Sequence, residues 1–379
     1  MRAVIFESFG GPLEVREVAD PDCPDHAVVV AVEATGVCRS DWHGWLGHDP
    51  DIRLPHVPGH EFAGRIAAVG RAVRGWRVGE RVTSPFVNGC GRCVHCLAGD
   101  HQVCPQQTQP GFTRWGSFAD LVLVDAAEVN LVRLPDQVDA ASAAALGCRF
   151  ATAFRAVIEV GRLGAGQWLA VYGCGGAGLS AVMIGAATGA HVVAVDVRRE
   201  ALDLAARLGA AHTLQILPDD DPLETGRRVR ELTGGGAEVS VDAVGSTGGR
   251  TGGGTGGSAG SGGLVAPSLV ASVASLRPRG RHVQIGLTPP VLGWPPVPMH
   301  LVIAGELELL GSHGMSPRSY PRLLSLVASG ALRPADLVTR RVSLERAGAA
   351  LAAMGSVART TGDAAAASGL TVVEPAGAP

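Results

Sequence analysis

The sequence contains no lysine: all 32 basic residues are arginine, set against 35 acidic residues. The net charge of −3 provides no basic surface for nucleic acid or for an anionic membrane. Because 53 of the 379 residues are glycine and alanine is abundant, we attribute the missing lysine to GC-rich coding. The use of arginine instead of lysine is therefore not taken as evidence of function.

Long apolar runs are also missing, and no stretch approaches the roughly 18 residues that suggest a transmembrane helix. The N-terminal residues show no charged leader followed by an apolar segment, so no secretory signal is visible. We therefore expect a soluble, cytoplasmic protein without a membrane or nucleic-acid partner. Disulfides are rare in that compartment, so the eight cysteines are not expected to be present as structural disulfides.

The length predicts two domains, at roughly 100–200 residues each. The first third contains short β-rich segments and glycine turns, with predicted strands at residues 28–32, 62–66 and 121–124. From about Cys148 onward, strands and helices alternate. That alternation predicts a parallel sheet with helical crossovers.

In the alternating part, strands are predicted at residues 168–172, 191–195, 239–243 and 282–285. Helices are predicted at residues 179–188 and 199–208. Residues 246–263 are almost wholly Gly, Ser and Thr, a composition that buries too little surface to offset chain entropy. We therefore expect a flexible insertion there. A phosphate-binding loop is the less favoured alternative, because no strand and helix bracket the segment.

Four cysteines lie within fifteen residues, at Cys90, Cys93, Cys96 and Cys104. A spacing of two residues lets a pair of thiolates bind one ion, and four such ligands complete a tetrahedron with no open position. The pattern therefore predicts a structural zinc site. An iron–sulfur cluster is the alternative, although the last gap of seven residues disfavours it.

A second set consists of Cys38, the His60 of Gly59-His60-Glu61, and Cys148. A lone cysteine is usually a small buried apolar residue, so each alone would mean little. Together they form a set of three protein ligands that leaves the fourth position of zinc to water or substrate. Such an open site is typical of catalytic zinc.

The segment Gly173-Cys174-Gly175-Gly176-Ala177-Gly178 fits the pattern G-x-G-x-x-G. Gly173, Gly175 and Gly178 follow a predicted strand and precede a predicted helix, the context in which this turn binds a pyrophosphate. Asp196 lies 18 residues after Gly178, where a carboxylate would bind the adenosine ribose of NAD and repel the phosphate of NADP. Arg198 and Arg199 lie close by and weaken that preference.

In this order, the segment Cys38-Arg39-Ser40-Asp41, the Gly59-His60-Glu61 motif, the four-cysteine lobe and the glycine turn resemble the zinc-dependent alcohol dehydrogenases. These belong to the medium-chain dehydrogenase/reductase family. The resemblance implies an α/β protein with a GroES-like, β-rich catalytic domain, residues 1–150 and 313–379, which carries the zinc lobe at 90–104. It also implies a doubly wound Rossmann domain with a parallel sheet, residues 151–312, interrupted by the insertion.

The resemblance implies one catalytic and one structural zinc per subunit. Cys38, His60 and Cys148 would bind the catalytic zinc, and Glu61 would bind it transiently while water and substrate exchange. Asp41 resembles the carboxylate that orients the zinc-binding histidine.

For the remaining site residues, the resemblance makes Ser40 and His43 the proton relay. Arg39 matches a residue that contacts the cofactor pyrophosphate, and Thr152 lies where the family contacts the nicotinamide. Together with Gly173, Gly175, Gly178 and Asp196, these residues imply NAD as cofactor.

The function implied is reversible hydride transfer between an alcohol and NAD, with zinc as Lewis acid. Five aromatic residues lie in the segments that border the site in this family, which points to an apolar pocket for primary aliphatic or aromatic alcohols: Trp42, Trp45, Phe86, Phe112 and Trp115. The equal alternative is that these side chains are ordinary core residues. A polyol or secondary-alcohol dehydrogenase on the same scaffold is the first alternative. A catalytically silent protein that binds zinc and nucleotide is the second.

The resemblance also implies a homodimer or homotetramer. Residues 301–310 are apolar and are predicted as an edge strand that could pair between subunits.

Overall fold

The computed structural model describes residues 1–245, 266–288, 294–355 and 368–375. The chain divides into two compact units, the first formed by Met1–Thr152 with His313–Pro379 and the second by Ala153–Ser312. The predicted insertion at 246–263 lies outside the described residues.

The strands, in chain order, are β1 (Arg2–Ile5), β2 (Glu14–Glu17), β3 (Val28–Val37), β4 (Phe62–Val69), β5 (Arg81–Thr83), β6 (Leu121–Val124), β7 (Val132–Arg133), β8 (Trp168–Tyr172), β9 (His191–Asp196), β10 (His212–Gln215), β11 (Ala237–Asp242), β12 (Leu276–Gln284), β13 (Glu308–Gly311), β14 (Val338–Ser343) and β15 (Leu370–Glu374).

The α-helices are α1 (Arg39–Trp45), α2 (Val94–Ala98), α3 (Ala127–Asn130), α4 (Ala140–Ala145), α5 (Arg149–Phe154), α6 (Gly176–Ala187), α7 (Arg199–Arg207), α8 (Pro222–Leu232), α9 (Pro267–Ala274), α10 (Met299–Gly305), α11 (Tyr320–Ala328) and α12 (Ala347–Ala353).

The first unit is built on a seven-stranded sheet in the order β14-β15-β3-β4-β5-β7, with β6 also paired to β3. Its central strand β3 is rich in valine, a β-branched residue that packs well on a pleated surface. Val30 of β3 pairs with Ile66 of β4 and Val122 of β6, and all three are buried. This confirms the β-rich first domain, and the last two strands come from the C-terminal part of the chain.

The second unit contains a six-stranded sheet in the order β10-β9-β8-β11-β12-β13, with every pairing parallel. Strands β8 and β9 contain apolar runs buried on both faces, as parallel sheets between helices require, and β11 is also largely buried although it includes polar residues. Val171 of β8, for example, pairs with Ala194 of β9 and Val241 of β11, and each is fully buried. The predicted α/β fold with a doubly wound parallel sheet is confirmed.

Two predicted boundaries differ from the structure. Helix α6 begins at Gly176 rather than at 179, because the glycine turn supplies the first residues of the helix, with Gly175 immediately before it. Strand β12 begins at Leu276 rather than at 282. Its first half, Arg-Pro-Arg-Gly after Leu276, is largely exposed and lacks the apolar pattern of a strand.

The prediction of one edge strand over residues 301–310 is wrong. This run divides into helix α10 and strand β13. Glu306 ends the helix with a left-handed backbone (φ 46°), which interrupts any continuous strand. Of the two elements, β13 is the one that forms an edge of the parallel sheet.

In the part of the chain that the structure describes, no helix is both long and apolar enough to span a bilayer.

Candidate active site

Four potential metal ligands from three segments of the first unit meet at one point. Cys38 follows β3 and precedes α1, His60 and Glu61 directly precede β4, and Cys148 lies between α4 and α5. One ligand atom from each lies within 4.8 Å of the others. The structure therefore brings together the catalytic zinc set named from the sequence.

Asp41 fixes two of these ligands. Its Oδ1 lies 2.7 Å from Nδ1 of His60 and accepts the N–H of Gly59, while its Oδ2 accepts the backbone N–H of Cys38 at 3.0 Å. Asp41 is almost fully buried, so it holds both ligands without competition from water. A carboxylate on Nδ1 leaves Nε2 as the metal-binding nitrogen of the imidazole.

The residues present fit a zinc ion. Nε2 of His60 is buried and has no hydrogen-bond partner among the described residues, which is costly unless a ligand satisfies it. The hydrogen bond from Cys148 lowers the pKa of Cys38 well below the usual thiol range, against the effect of burial. Two cysteine sulfurs, bound as thiolates, and an imidazole nitrogen are donors that zinc prefers.

Glu61 does not stand alone beside this set. It is fully buried and forms an ion pair with Arg149, which directly follows the ligand Cys148. Burial raises the pKa of Glu61, and Arg149 opposes that rise. Nothing in the spacing of the sequence indicated that Arg149, which follows Cys148, would pair with Glu61, which follows His60.

The two predicted relay residues lie on α1. Oγ of Ser40 is 3.8 Å from Sγ of Cys38, so the hydroxyl lies beside the metal ligands. Nδ1 of His43 lies 2.9 Å from Nδ1 of His48, a histidine to which the sequence assigned no role. Burial, followed by the charges of His48 and Arg39, lowers the pKa of His43 to about 4, so the ring is neutral near pH 7.

Two phenylalanines flank His60. The ring of His60 lies 5.3 Å from that of Phe112 and 6.0 Å from that of Phe86, between centroids. Both phenylalanines are buried. Of the other aromatic residues named from the sequence, Trp42 and Trp45 pack on apolar clusters of the first unit, whereas Trp115 is more exposed.

The four cysteines of the lobe also converge. The Sγ atoms of the four cysteines all lie within 4.8 Å of one another: Cys90, Cys93, Cys96 and Cys104. Backbone N–H groups donate to two of these sulfurs: those of Cys90 and Gln106 to Cys104, and that of Cys96 to Cys93. Hydrogen bonds from the backbone lower the pKa of Cys90 to about 6, despite some burial. Such a set is closed and fits a structural zinc.

The glycine turn lies between β8 and α6 in the second unit. Gly173 has a positive φ of 87°, and a Cβ on Gly178 would collide with the carbonyl oxygen of Gly173. Both positions therefore require glycine for the turn and for close contact between helix and strand. Gly175 precedes the first residue of α6, so backbone N–H groups of the helix N-terminus are available at this turn.

Asp196 ends β9 beside that turn. Its Oδ2 accepts the N–H of Cys174 at 2.6 Å, and its Oδ1 accepts the N–H of Arg198 at 2.8 Å. The guanidinium of Arg198 also lies 3.5 Å from Oδ1, and Arg199 pairs with Asp203 at 3.0 Å. Both arginines that weakened the NAD preference are therefore paired with carboxylates.

The remaining two predicted cofactor residues belong to the first unit. Arg39 donates to the carbonyl oxygen of Met354 at 2.7 Å, and its guanidinium lies 5.0 Å from the ring centroid of Trp42. Thr152 lies in α5 and donates its backbone N–H to the carbonyl oxygen of Cys148 at 2.8 Å.

Comparison with known proteins agrees with this geometry. Residues 24–136 match the alcohol dehydrogenase GroES-like domain, and residues 176–249 match the zinc-binding dehydrogenase domain. An alcohol dehydrogenase of Geobacillus stearothermophilus is 31% identical over 335 residues, which cover 88% of this chain and 90% of that protein. An NAD-dependent alcohol dehydrogenase of Sulfurisphaera tokodaii is 30% identical, covering 93% of this chain and 95% of its own.

A solved structure of a zinc-binding dehydrogenase from Sinorhizobium meliloti, bound to NADP, superposes with a TM-score of 0.80 at 28% identity, covering 99% of both chains. The chain therefore belongs to the zinc-dependent alcohol dehydrogenases of the medium-chain dehydrogenase/reductase family. It is an oxidoreductase of small alcohols and their carbonyl products, with zinc and a nicotinamide dinucleotide as cofactors.

Changing Asp41 to Asn should weaken the catalytic metal site without changing its ligands. The amide places an N–H₂ group where an oxygen now accepts a hydrogen bond from Cys38, Gly59 or His60. We expect zinc affinity at this site and turnover to fall by about 10–100-fold, the usual effect of losing such a partner. Zinc content at fixed free zinc, measured with kcat, tests this.

Asp139→Asn is the matched control, because Asp139 caps α4 in the same unit through Ser142. Asparagine caps helices about as well as aspartate does. Full zinc occupancy and full activity in the Asp41 variant would contradict the orienting role.

Proposed function

We propose that this enzyme oxidises primary aliphatic or aromatic alcohols to aldehydes with NAD, reversibly, and that the first unit is the catalytic domain. Cys38, His60 and Cys148 hold the catalytic zinc, and Cys90, Cys93, Cys96 and Cys104 hold the structural one. The convergence of the first set around the unpartnered Nε2 of His60 is the observation that carries the proposal.

The catalytic zinc, when bound, supplies a Lewis acid that lowers the pKa of an alcohol hydroxyl. The protein residues receive the proton. Ser40 lies beside the proposed metal ligands and would accept it, and the neutral ring of His43 would pass it on toward solvent. A bound nicotinamide would accept the hydride from the same carbon, so one alcohol would yield one aldehyde, one reduced cofactor and one proton.

The dinucleotide is proposed to bind the second unit. The turn formed by Gly173, Gly175 and Gly178 offers backbone N–H groups to the pyrophosphate. Arg39 and Thr152 are proposed as further cofactor-binding residues. Asp196 binds the adenosine ribose and disfavours a phosphate there. Pairing of Arg198 with Asp196 supports NAD over NADP, although the Sinorhizobium relative was solved with NADP.

The substrate class is inferred from what surrounds His60. Phe86 and Phe112 place apolar surface beside the metal ligands, whereas polyols would need hydrogen-bonding side chains at the same place. Burying a methylene is worth about 0.8 kcal/mol, which is roughly a fourfold gain in kcat/KM. Longer primary alcohols should therefore be better substrates until the available surface is filled.

A kinetic panel tests this proposal. NADH formation is measured with ethanol, propanol, butanol, benzyl alcohol, propan-2-ol, glycerol and sorbitol, each with NAD and with NADP. We expect kcat/KM to rise about fourfold per methylene, benzyl alcohol to be turned over, and NAD to be preferred. Faster turnover of glycerol or sorbitol would favour the polyol or secondary-alcohol alternative.

A protein that holds zinc and binds NAD, yet turns over none of these alcohols in either direction, would favour the silent zinc- and nucleotide-binding alternative. Zinc analysis and NADH fluorescence on the same sample separate that outcome from a poorly folded preparation.

We also propose a cytoplasmic homodimer or homotetramer. The eight cysteines, all of them among the described residues, form no disulfide, which is in keeping with a compartment where disulfides are rare. Strand β13 is an edge of the parallel sheet, and apolar side chains near it are exposed, among them Met299, Ile303 and Leu309. An unpaired edge with apolar neighbours favours pairing with a second copy.

A further inference from the structure

The ion pair of Glu61 and Arg149 joins the neighbours of two metal ligands. Nε of Arg149 donates to Oε1 at 2.9 Å and lies 3.0 Å from Oε2, and Nη2 also contacts Oε2. The backbone N–H of Arg149 donates to Oε1 at 2.9 Å. One residue therefore contacts both carboxylate oxygens of Glu61.

The strand beside the pair makes room for it. A Cβ at Gly36 of β3 would collide with Oε2 of Glu61 and would lie 2.7 Å from Nη2 of Arg149. The N–H of Gly36 also donates to the carbonyl oxygen of Glu61 at 2.7 Å. Glycine at this position thus leaves the space that the ion pair occupies.

The same carboxylate lies within reach of the metal set. An oxygen of Glu61 is within 4.8 Å of the ligand atoms of Cys38, His60 and Cys148. A buried carboxylate needs a cationic partner, because an unpaired charge is expensive in the interior. Two cations could neutralise the carboxylate of Glu61: the guanidinium of Arg149 and a metal ion bound to the neighbouring ligands.

We propose that Arg149 is a positioning residue that holds Glu61 off the catalytic zinc and so keeps the fourth coordination position open to substrate. Three protein ligands define an open, catalytic zinc site, whereas a fourth closes it. By contacting both oxygens, Arg149 offsets the attraction of Glu61 to the ion. This inference rests on the proposed zinc set of Cys38, His60 and Cys148.

Cobalt-substituted protein tests the proposal without measuring turnover. The visible d–d bands report coordination, and the spectrum of Cys38→Ser, which retains the four-cysteine site, is subtracted to isolate the catalytic site. We expect Arg149→Gln to change these bands because Glu61 becomes a ligand. Arg149→Lys should keep the wild-type bands, and Glu61→Gln added to Arg149→Gln should restore them.

Zinc release provides an independent readout. With Glu61 as fourth ligand, transfer of the catalytic zinc to excess chelator should be about 10-fold slower in Arg149→Gln than in wild type. Loss of the arginine charge alone would slow release without changing the d–d bands, and that pattern would overturn the proposal. Unchanged bands in Arg149→Gln, or bands that Glu61→Gln does not restore, would overturn it as well.

Gly36→Ala is a second variant that tests the proposal if Arg149→Gln does not fold. It leaves every charged residue in place but fills the space of the pair, so it should produce the same band shift. A folded Gly36→Ala protein with wild-type bands would count against the proposal. If wild type minus Cys38→Ser shows no cobalt bands, the proposed zinc set itself fails, which is distinguishable from failure of the Arg149 inference.

Discussion

Cys38→Ser is expected to lose the catalytic zinc and nearly all alcohol dehydrogenase activity while the four-cysteine site keeps its metal. A serine hydroxyl stays protonated at neutral pH and cannot replace a thiolate whose pKa is already low. Metal-ion catalysis contributes several kcal/mol, so kcat/KM should fall by about 10³-fold or more. Zinc content should fall from about two ions per chain to about one.

Cys23→Ser is the matched control. Cys23 belongs to neither metal set, and its thiol contacts only backbone carbonyls among the described residues. It should keep both zinc ions, the activity and the thermal midpoint of the wild type. Two zinc ions and wild-type turnover in Cys38→Ser would refute the assignment of Cys38.

The candidate metal ligands could be proposed from the sequence because their pattern is local and rare. Four cysteines within fifteen residues seldom occur together unless they bind a metal, and Gly59-His60-Glu61 places a histidine and a carboxylate side by side. The parallel sheet was equally visible, since its central strands are buried on both faces and contain unbroken apolar runs.

What the sequence did not show is which polar groups pair across long separations. Glu61 and Arg149 are 88 residues apart, and only the fold brings His60 and Cys148 together so that their neighbours meet. The polar first half of β12 was missed because residues 277–280 lack the apolar pattern of a strand and lie where the register between β11 and β12 shifts. The division of residues 301–310 depends on one left-handed residue, Glu306, which apolar periodicity does not reveal.

Cys96→Ser should have the largest effect on stability. Cys96 is buried in the lobe, and its backbone N–H donates to the sulfur of Cys93, so the metal and the local chain conformation are coupled. Zinc binding contributes about 10–16 kcal/mol to the folding of small zinc domains. If only about 4 kcal/mol of this is lost here, the thermal midpoint falls by about 10 °C, at 2–4 °C per kcal/mol.

Hydrogen exchange locates this effect. Because the metal would cross-link four cysteines within residues 90–104, faster exchange should begin there, whereas the parallel sheet of the second unit should keep its protection. Zinc content should again fall by about one ion per chain, now with the cobalt bands of the catalytic site retained. An unchanged thermal midpoint with two bound zinc ions in Cys96→Ser would show that Cys96 is not a ligand. In the wild type, bound iron with visible charge-transfer absorption would favour the iron–sulfur alternative.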